Sequence, residues 1–287
     1  MADRSVCPTG NIRRGVGSRI NVCEASGWCE TLGLSAVVIT LNEEKNIERC
    51  LEALRFADEI VVLDSLSTDR TVTLARRYTD KISEREFTGY SDQKTAAIEM
   101  ATQEWILLVD ADEVVPEDLA REITSTLASA DCDGYWIPRS TYFLGKLIRH
   151  CGWYPDYQLR LARKSKARFS VRLVHETLEV DVKCGRLKTA LVHYSYPSMD
   201  EYARKMVSYA RAGARQKMLD GGRFRLSDLV FRPGLAFLRM YIVKQGFRDG
   251  LHGFLLCTLT ACSTALRYAM LWEMCVRGPK QGDGNES

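Results

Sequence analysis

Between residues 34 and 128 short apolar runs alternate with amphipathic segments. The run Leu34-Ser35-Ala36-Val37-Val38-Ile39-Thr40 is rich in β-branched residues and reads as a strand. In residues 43 to about 56, Ile47, Cys50, Leu51 and Leu54 recur at helical spacing and predict one buried stripe, with Asn42 as the expected N-cap. Residues 58–64 repeat the strand pattern and end in Asp64; a polar turn over residues 65–71 then opens a helix to about residue 78. A short strand near residues 81–83 leads through Phe87-Thr88-Gly89-Tyr90 to a helix carrying Gln93 and Lys94, capped by Ser91 or Asp92. The next run, Trp105-Ile106-Leu107-Leu108-Val109, is too short for a core helix and apolar throughout, as a strand buried on both faces must be. It runs directly into Asp110-Ala111-Asp112-Glu113, and a further helix is expected from residue 117 to about 127.

Strands alternating with helices predict βαβ units, right-handed crossovers and an α/β fold with a mostly parallel central sheet. Ligands of such sheets gather at the carboxyl ends of the strands, where Asn42, Asp64, Asp110 and Asp112 all fall. If the chain stays extended, Asp110 and Asp112 point the same way, and two like charges sharing one site cost energy unless a cation sits between them. A divalent metal carrying phosphate oxygens fits that demand; the plain alternative is an acidic loop that caps the following helix. No G-x-G-x-x-G and no P-loop follows any strand, which disfavours a Rossmann dinucleotide site or P-loop hydrolysis.

From residue 134 the pattern changes. Strands are expected at 134–138, 158–163 and 191–194, with shorter ones at 169–171 and 179–181 framing Val174-His175-Glu176. The intervening segment is rich in Tyr, Trp and Arg (Arg139, Tyr142, Arg149, Trp153, Tyr154, Tyr157). Aromatic rings beside charged groups suit a sugar site, and they are equally ordinary core filler. The remainder, from Met199, is helical. Its residues 201–249 hold eleven Lys/Arg against four Asp/Glu, interleaved with apolar positions such as Leu229, Val230, Phe231, Leu235 and Leu238. The apolar run from Phe254 to Leu271 is interrupted by Arg267, too polar for the twenty or so apolar residues of a bilayer span. A basic amphipathic helix set on an anionic membrane surface fits better. A helical cap or oligomer interface is the alternative; nucleic acid is not expected, since no recognition signature accompanies the charge.

Composition narrows the class further. With 46% hydrophobic and 27% charged residues and a net charge of only +3, the chain is neither disordered nor a polytopic membrane protein. Its ten scattered cysteines form no C-x-x-C pair, which argues for reduced thiols in a cytosolic protein without structural zinc or disulfides. The N-terminus has no apolar core after its arginines, so no signal peptide is expected. The expected organisation is a poorly ordered extension over residues 1–33, a catalytic domain over 34–198, a membrane-associating helical region over 199–278 and a disordered tail over 279–287.

Three motifs, residues 35–44 (SAVVITLNEE), residues 61–71 (VVLDSLSTDRT) and Asp110-Ala111-Asp112-Glu113, together resemble the inverting family 2 glycosyltransferases of GT-A fold. Residues 152–161 (GWYPDYQLRL), Val174-His175-Glu176 and residues 244–250 (KQGFRDG) look like the bacterial subgroup that adds glucose to the heptose core of lipopolysaccharide. The resemblance implies a hexose moved from a nucleotide-diphosphate sugar, a UDP-sugar by preference, to a core-oligosaccharide or glycolipid acceptor. It places the enzyme in the cytoplasm, peripheral on the inner face of the bacterial inner membrane. Position by position it assigns Thr40, Asn42 and Glu43 to the nucleotide base and Asp64 to base or ribose. Asp110 is assigned to the sugar and ribose and, with Asp112, to Mg²⁺ or Mn²⁺. One carboxylate must serve as general base; many members carry it in a Glu-Asp pair, which residues 134–198 do not contain, and this leaves Asp156 first and Glu176 second. Arg160, Lys94 and Arg149 are candidate cations for the departing diphosphate, Arg160 first among them, with an ion pair to Asp156 as its plain alternative. Arg149, Trp153, Tyr154 and His175 are the expected acceptor contacts.

Rival readings are a polyprenyl-phosphate glycosyltransferase or another GT-A enzyme. A nucleotidyltransferase would want a basic, Gly-rich loop after the first strand, where this chain has Thr40-Leu41-Asn42-Glu43-Glu44. A non-catalytic membrane-peripheral protein would leave Asp64, Asp110 and Asp112 without purpose.

Overall fold

The structure, a computed structural model, describes residues 33–169, 178–180 and 183–277, the backbone alone at 169 and 178–180. The expected extension and tail, and the candidates His175 and Glu176, lie outside the described residues. The chain proceeds through β1 (Leu34–Thr40), α1 (Ile47–Glu52), β2 (Glu59–Asp64), α2 (Thr71–Ala75), β3 (Ile82–Glu84), α3 (Tyr90–Met100) and β4 (Trp105–Asp110). It continues through β5 (Glu113–Val114), α4 (Glu117–Ala128), β6 (Gly134–Phe143), β7 (Lys146–Leu147) and β8 (Asp156–Arg163). A small hairpin, β9 (Ala167–Phe169) with β10 (Leu178–Val180), stands apart from the main sheet. Strands β11 (Cys184–Arg186) and β12 (Leu191–Tyr196) then complete that sheet, whose order is β3-β2-β1-β4-β8-β6-β12-β5, with β11 and β7 on β6.

The apolar runs are strands because both faces of the sheet are covered. Alternate residues divide between two cores. Ala36, Val38, Val62, Leu107 and Val109 pack with Leu51 of α1 and Leu119 and Ile123 of α4. Val37, Val61, Leu63, Ile106 and Leu108 pack with Ala97 and Ile98 of α3. The pairs β3–β2, β2–β1 and β1–β4 are parallel. Strand β8 runs antiparallel to both β4 and β6, which brings its first residues to the carboxyl end of β4.

The first helix is shorter than its periodicity predicts, and Asn42 is not its cap. Asn42 adopts φ 54°, donates its N–H to Ser67 Oγ (2.8 Å) and accepts from Thr68 N–H at Oδ1 (2.9 Å), so the chain leans toward the loop after β2 before turning into α1 at Ile47. Helix α2 likewise stops at Ala75.

The C-terminal region is helical as expected: α5 (Met199–Leu219), α6 (Leu226–Leu238), a π-turn (Arg239–Val243), a 3₁₀ turn (Gly246–Asp249) and α7 (Gly250–Arg277). Ser198 caps α5, accepting Glu201 N–H at 3.2 Å. The buried carboxylate of Asp249 grips the loop before β8: it accepts the His150 N–H (2.8 Å), meets His150 Nδ1 (3.1 Å) and reaches the Arg149 N–H (3.4 Å). Lys146 Nζ donates to the Asp249 carbonyl, and Cys151 N–H to the Lys244 carbonyl. Gly253 allows this docking, since a Cβ there would lie 2.0 Å from the Gly246 carbonyl oxygen. The cysteines among the described residues are free thiols.

Candidate active site

The parallel strands deliver their acids to one edge. Asp64 is level with Thr40, and Asp110 with Ile39, so β2, β1 and β4 end together. Two inter-strand spacings separate Asp64 from Asp110, about 10 Å. Asp64 is buried; its two oxygens accept from the N–H and Oγ of Ser67, each at 2.6 Å. Asp69 accepts the Glu44 N–H (3.1 Å) and Thr71 Oγ1 accepts the Glu43 N–H (2.8 Å), lacing the β1 loop to the β2 loop. Thr40 Oγ1 is buried without a hydrogen-bond partner.

The Asp110 and Asp112 carboxylates meet different protein partners, while the Asp110 charge still acts on Asp112. The chain turns at Ala111 and Asp112, and each acid meets its own protein cations. Asp110 accepts from Arg160 Nη2 (2.6 Å) and pairs with Lys94 Nζ (3.1 Å). Burial alone would raise its carboxyl pKa, but the Arg160 and Lys94 charges override this and hold it well below the ordinary range. Asp112 lies 3.2 Å from His193 Nε2 and 3.8 Å from Lys205 Nζ. Burial there too opposes ionisation, and His193 outweighs it, lowering the pKa.

A chain of alternating charges runs inward from this edge. Asp156 accepts from Arg139 Nε (3.0 Å) and Nη2 (2.6 Å); Arg139 Nη1 reaches Glu113 Oε1 (3.5 Å). Glu113, fully buried, also accepts from Arg160 Nη2 (2.8 Å) and from the Asp110 N–H (3.0 Å). Three acids and three cations thus alternate as Asp156–Arg139–Glu113–Arg160–Asp110–Lys94. Asp110 and Glu113 raise the Arg160 pKa against the opposing effect of burial. The partners of Arg160 are therefore Asp110 and Glu113, and the partner of Asp156 is Arg139.

Beside this network lies a cleft of about 360 Å³ bounded by Asn42, Glu43, Asp69, Asp112, Arg204 and Lys205. Burial raises the Glu43 pKa there. The first turns of α5 line the cleft, so the helical region contributes two cations to it. Of the acceptor candidates, Arg149 and Tyr154 are exposed on the loop before β8, while Trp153 packs between Phe143 and Tyr196. Among the described residues no three His, Cys, Asp or Glu side chains converge to hold an ion. The Asp112 carboxylate is a donor that fits Mn²⁺ or Mg²⁺ when substrate phosphates complete the shell, and the His193 imidazole beside it is a softer donor.

His193, Arg204 and Lys205 have no role assigned from sequence; Arg139 is named there only within the Tyr/Trp/Arg-rich segment and Glu113 only as the last acid of its motif. Glu113 directly follows the acidic pair and was legible as a third acid; the others come from strands and a helix whose pairing no local pattern announces.

The profile of Glycosyl transferase family 2 matches residues 35–178. The lipopolysaccharide core biosynthesis glycosyltransferase LpsC of Rhizobium meliloti (strain 1021) is 33% identical over 255 residues, 84% of this chain and 93% of that protein. An uncharacterized glycosyltransferase of Rickettsia typhi is 28% identical, covering 85% of this chain and 88% of its own. A crystal structure of S. aureus TarS 1-349 in complex with UDP-GlcNAc is similar over 85% of this chain and 92% of that one, at 14% identity and a TM-score of 0.44.

Proposed function

The chain belongs to glycosyl transferase family 2 and is related to bacterial lipopolysaccharide-core glycosyltransferases; from that premise we propose that it moves a hexose, glucose by preference, from a UDP-sugar to a lipopolysaccharide-core or related glycolipid acceptor, inverting the anomeric centre. The observation that carries this reading is the cleft at the strand ends, where Asp112 faces Arg204 and Lys205 beside the laced loops of Asn42 and Asp64.

The loops after β1 and β2 suit the nucleoside, with Asp64 fixed by Ser67 and the Asn42 backbone fixed by the same serine. Asp110, oriented by Arg160 and Lys94, is suited to hold donor hydroxyls. In the transfer, Asp156 takes the proton of the acceptor hydroxyl as that oxygen bonds to the anomeric carbon and the bond from that carbon to the diphosphate breaks. The negative charge left on the nucleoside diphosphate faces Lys205 and Arg204, two cations that line the cleft. A bound Mg²⁺ or Mn²⁺, held by Asp112 with His193, would offset the same charge. Residues 34–198 carry the acids of the site, and the helical region adds Arg204 and Lys205 and holds the enzyme at the cytoplasmic face of the inner membrane.

A screen of UDP-, GDP- and dTDP-sugars against a core oligosaccharide is expected to give transfer from a UDP-hexose with an inverted linkage. The variant Asp112→Ala is expected to abolish it and to leave any remaining rate insensitive to Mn²⁺. A near-wild-type rate for that variant refutes the role of Asp112; transfer from no nucleotide sugar to any core acceptor refutes the acceptor class.

A further inference from the structure

No residue of α6 is buried, although the helix is strongly apolar. Leu226, Val230, Phe231 and Leu235 stand exposed at helical spacing, and the same surface continues through the two turns to Val243 and Leu251 at the start of α7. Phe231 is 65% exposed, Val243 70% and Leu251 68%. Monomeric soluble proteins seldom leave so long an apolar run in water, which marks an interaction surface. Its charge is one-sided. Arg223, Arg225, Arg239 and Lys244 are exposed and make no ion pair among the described residues. The two acids of the segment are occupied: Asp228 pairs with Arg232 and Lys217, and Asp249 is buried on His150.

We propose that this face lies in the headgroup layer of an anionic bilayer, with α6 and the following turns embedded in the plane and α7 outside the hydrocarbon. The inference deepens the proposed site of action and rests on that reading for its lipid-linked acceptor. Unpaired cations beside apolar side chains match lipid phosphates above acyl chains, the arrangement of an interfacial helix. Helix α7 with the turn before it, 246–277, is long and apolar enough to cross a membrane. One side of it, however, is already committed to protein: Gly253, Leu256, Cys257, Tyr268 and Leu271 are buried along its length. These residues pack on Phe143, Ile148 and Cys151 of the sheet region and on Ala214 of α5. Crossing the bilayer would strip those contacts, open the Asp249 grip and carry Arg267 into hydrocarbon. The embedded turn also lies beside the active edge. The Lys244 carbonyl accepts the Cys151 N–H, and only five residues of chain, at most about 17 Å, separate Cys151 from Asp156.

The test floats the full chain with phosphatidylcholine vesicles, with and without phosphatidylglycerol. Binding to the anionic vesicles is expected, weakening with salt, and roughly tenfold weaker for a Phe231→Asp/Leu235→Asp double variant. Alkaline carbonate is expected to release the bound chain from membranes. Retention in carbonate overturns the in-plane arrangement, and undiminished binding by the double variant overturns the face. A lipid-independent dimer that only the double variant dissolves assigns the face to a second copy and also overturns the proposal. Because both substituted side chains are exposed, circular dichroism should be unchanged, and UDP binding by the variant should match wild type. Vesicle binding without any transfer by the wild-type chain would refute the proposed reaction and leave the membrane face standing.

Discussion

Asp156 is held before any substrate arrives. Both donors of Arg139 that reach it converge on Oδ2, while Oδ1 accepts from Gln158 Nε2 at 2.8 Å. A base tethered in this way is oriented by Arg139 and Gln158. Asp156→Asn removes the proton acceptor while keeping the shape. It is expected to lower kcat by about 10²–10⁴ while leaving UDP affinity intact, as single-turnover rates and calorimetry would report. Loss of UDP affinity with kcat preserved would move the residue to donor binding. Arg160 illustrates the opposite constraint: its hydrogen bonds serve a fully buried Glu113, so it supports the network from inside and is remote from solvent.

At the level of the elements, the two ends of the parallel strands are built for different tasks. The carboxyl ends carry Asp64 and Asp110; the amino ends are tied by Glu59 at the start of β2. Glu59 is buried and accepts from Lys81, from Ser35 of β1, and from both the N–H and the Oγ1 of Thr102, at 2.8 and 2.9 Å. Burial alone would raise its pKa, but these donors together lower it from 4.5 to about 2. A carboxyl depressed on folding stabilises the fold above its unfolded value and loses that contribution as pH falls toward the folded one. Glu59→Gln is therefore expected to cost about 2–3 kcal/mol at pH 7. Urea unfolding should show that difference shrinking below pH 4.5 and closing near pH 2. A difference independent of pH would assign the effect to packing.

What sequence could reveal also divides at this level. Strands β1, β2 and β4 were legible because burial on both faces leaves continuous apolar runs, and β2 and β4 end at Asp64 and Asp110, the acids that close their runs. The start of α1 was not, because Asn42 is drawn off by Ser67 and Thr68, partners more than twenty residues away. The antiparallel insertion of β8 was equally hidden, and with it the pairing of Asp156 with Arg139 rather than Arg160. A side chain's partner across a sheet depends on register between strands far apart in sequence. His193 and Lys205 gave no local signal, one a single histidine on a short strand and the other one of eleven basic residues in a helical stretch.

Across the whole molecule, the helical region is not a separable appendage. It supplies Arg204 and Lys205 to the cleft, and through Asp249 it fixes the loop that leads into Asp156. That grip bears on how a tractable crystallisation fragment is to be obtained. Deleting the greasy C-terminal helices after residue 198 discards both cleft cations and unties three donors, the N–H groups of Arg149 and His150 and the Lys146 ammonium. Such a fragment is expected to bind UDP at least about tenfold more weakly, the worth of one lost charge-assisted contact, and to be cut by protease between residues 144 and 155. Polar replacement of Phe231 and Leu235 in the full-length chain reaches the same goal with the Asp249 grip intact.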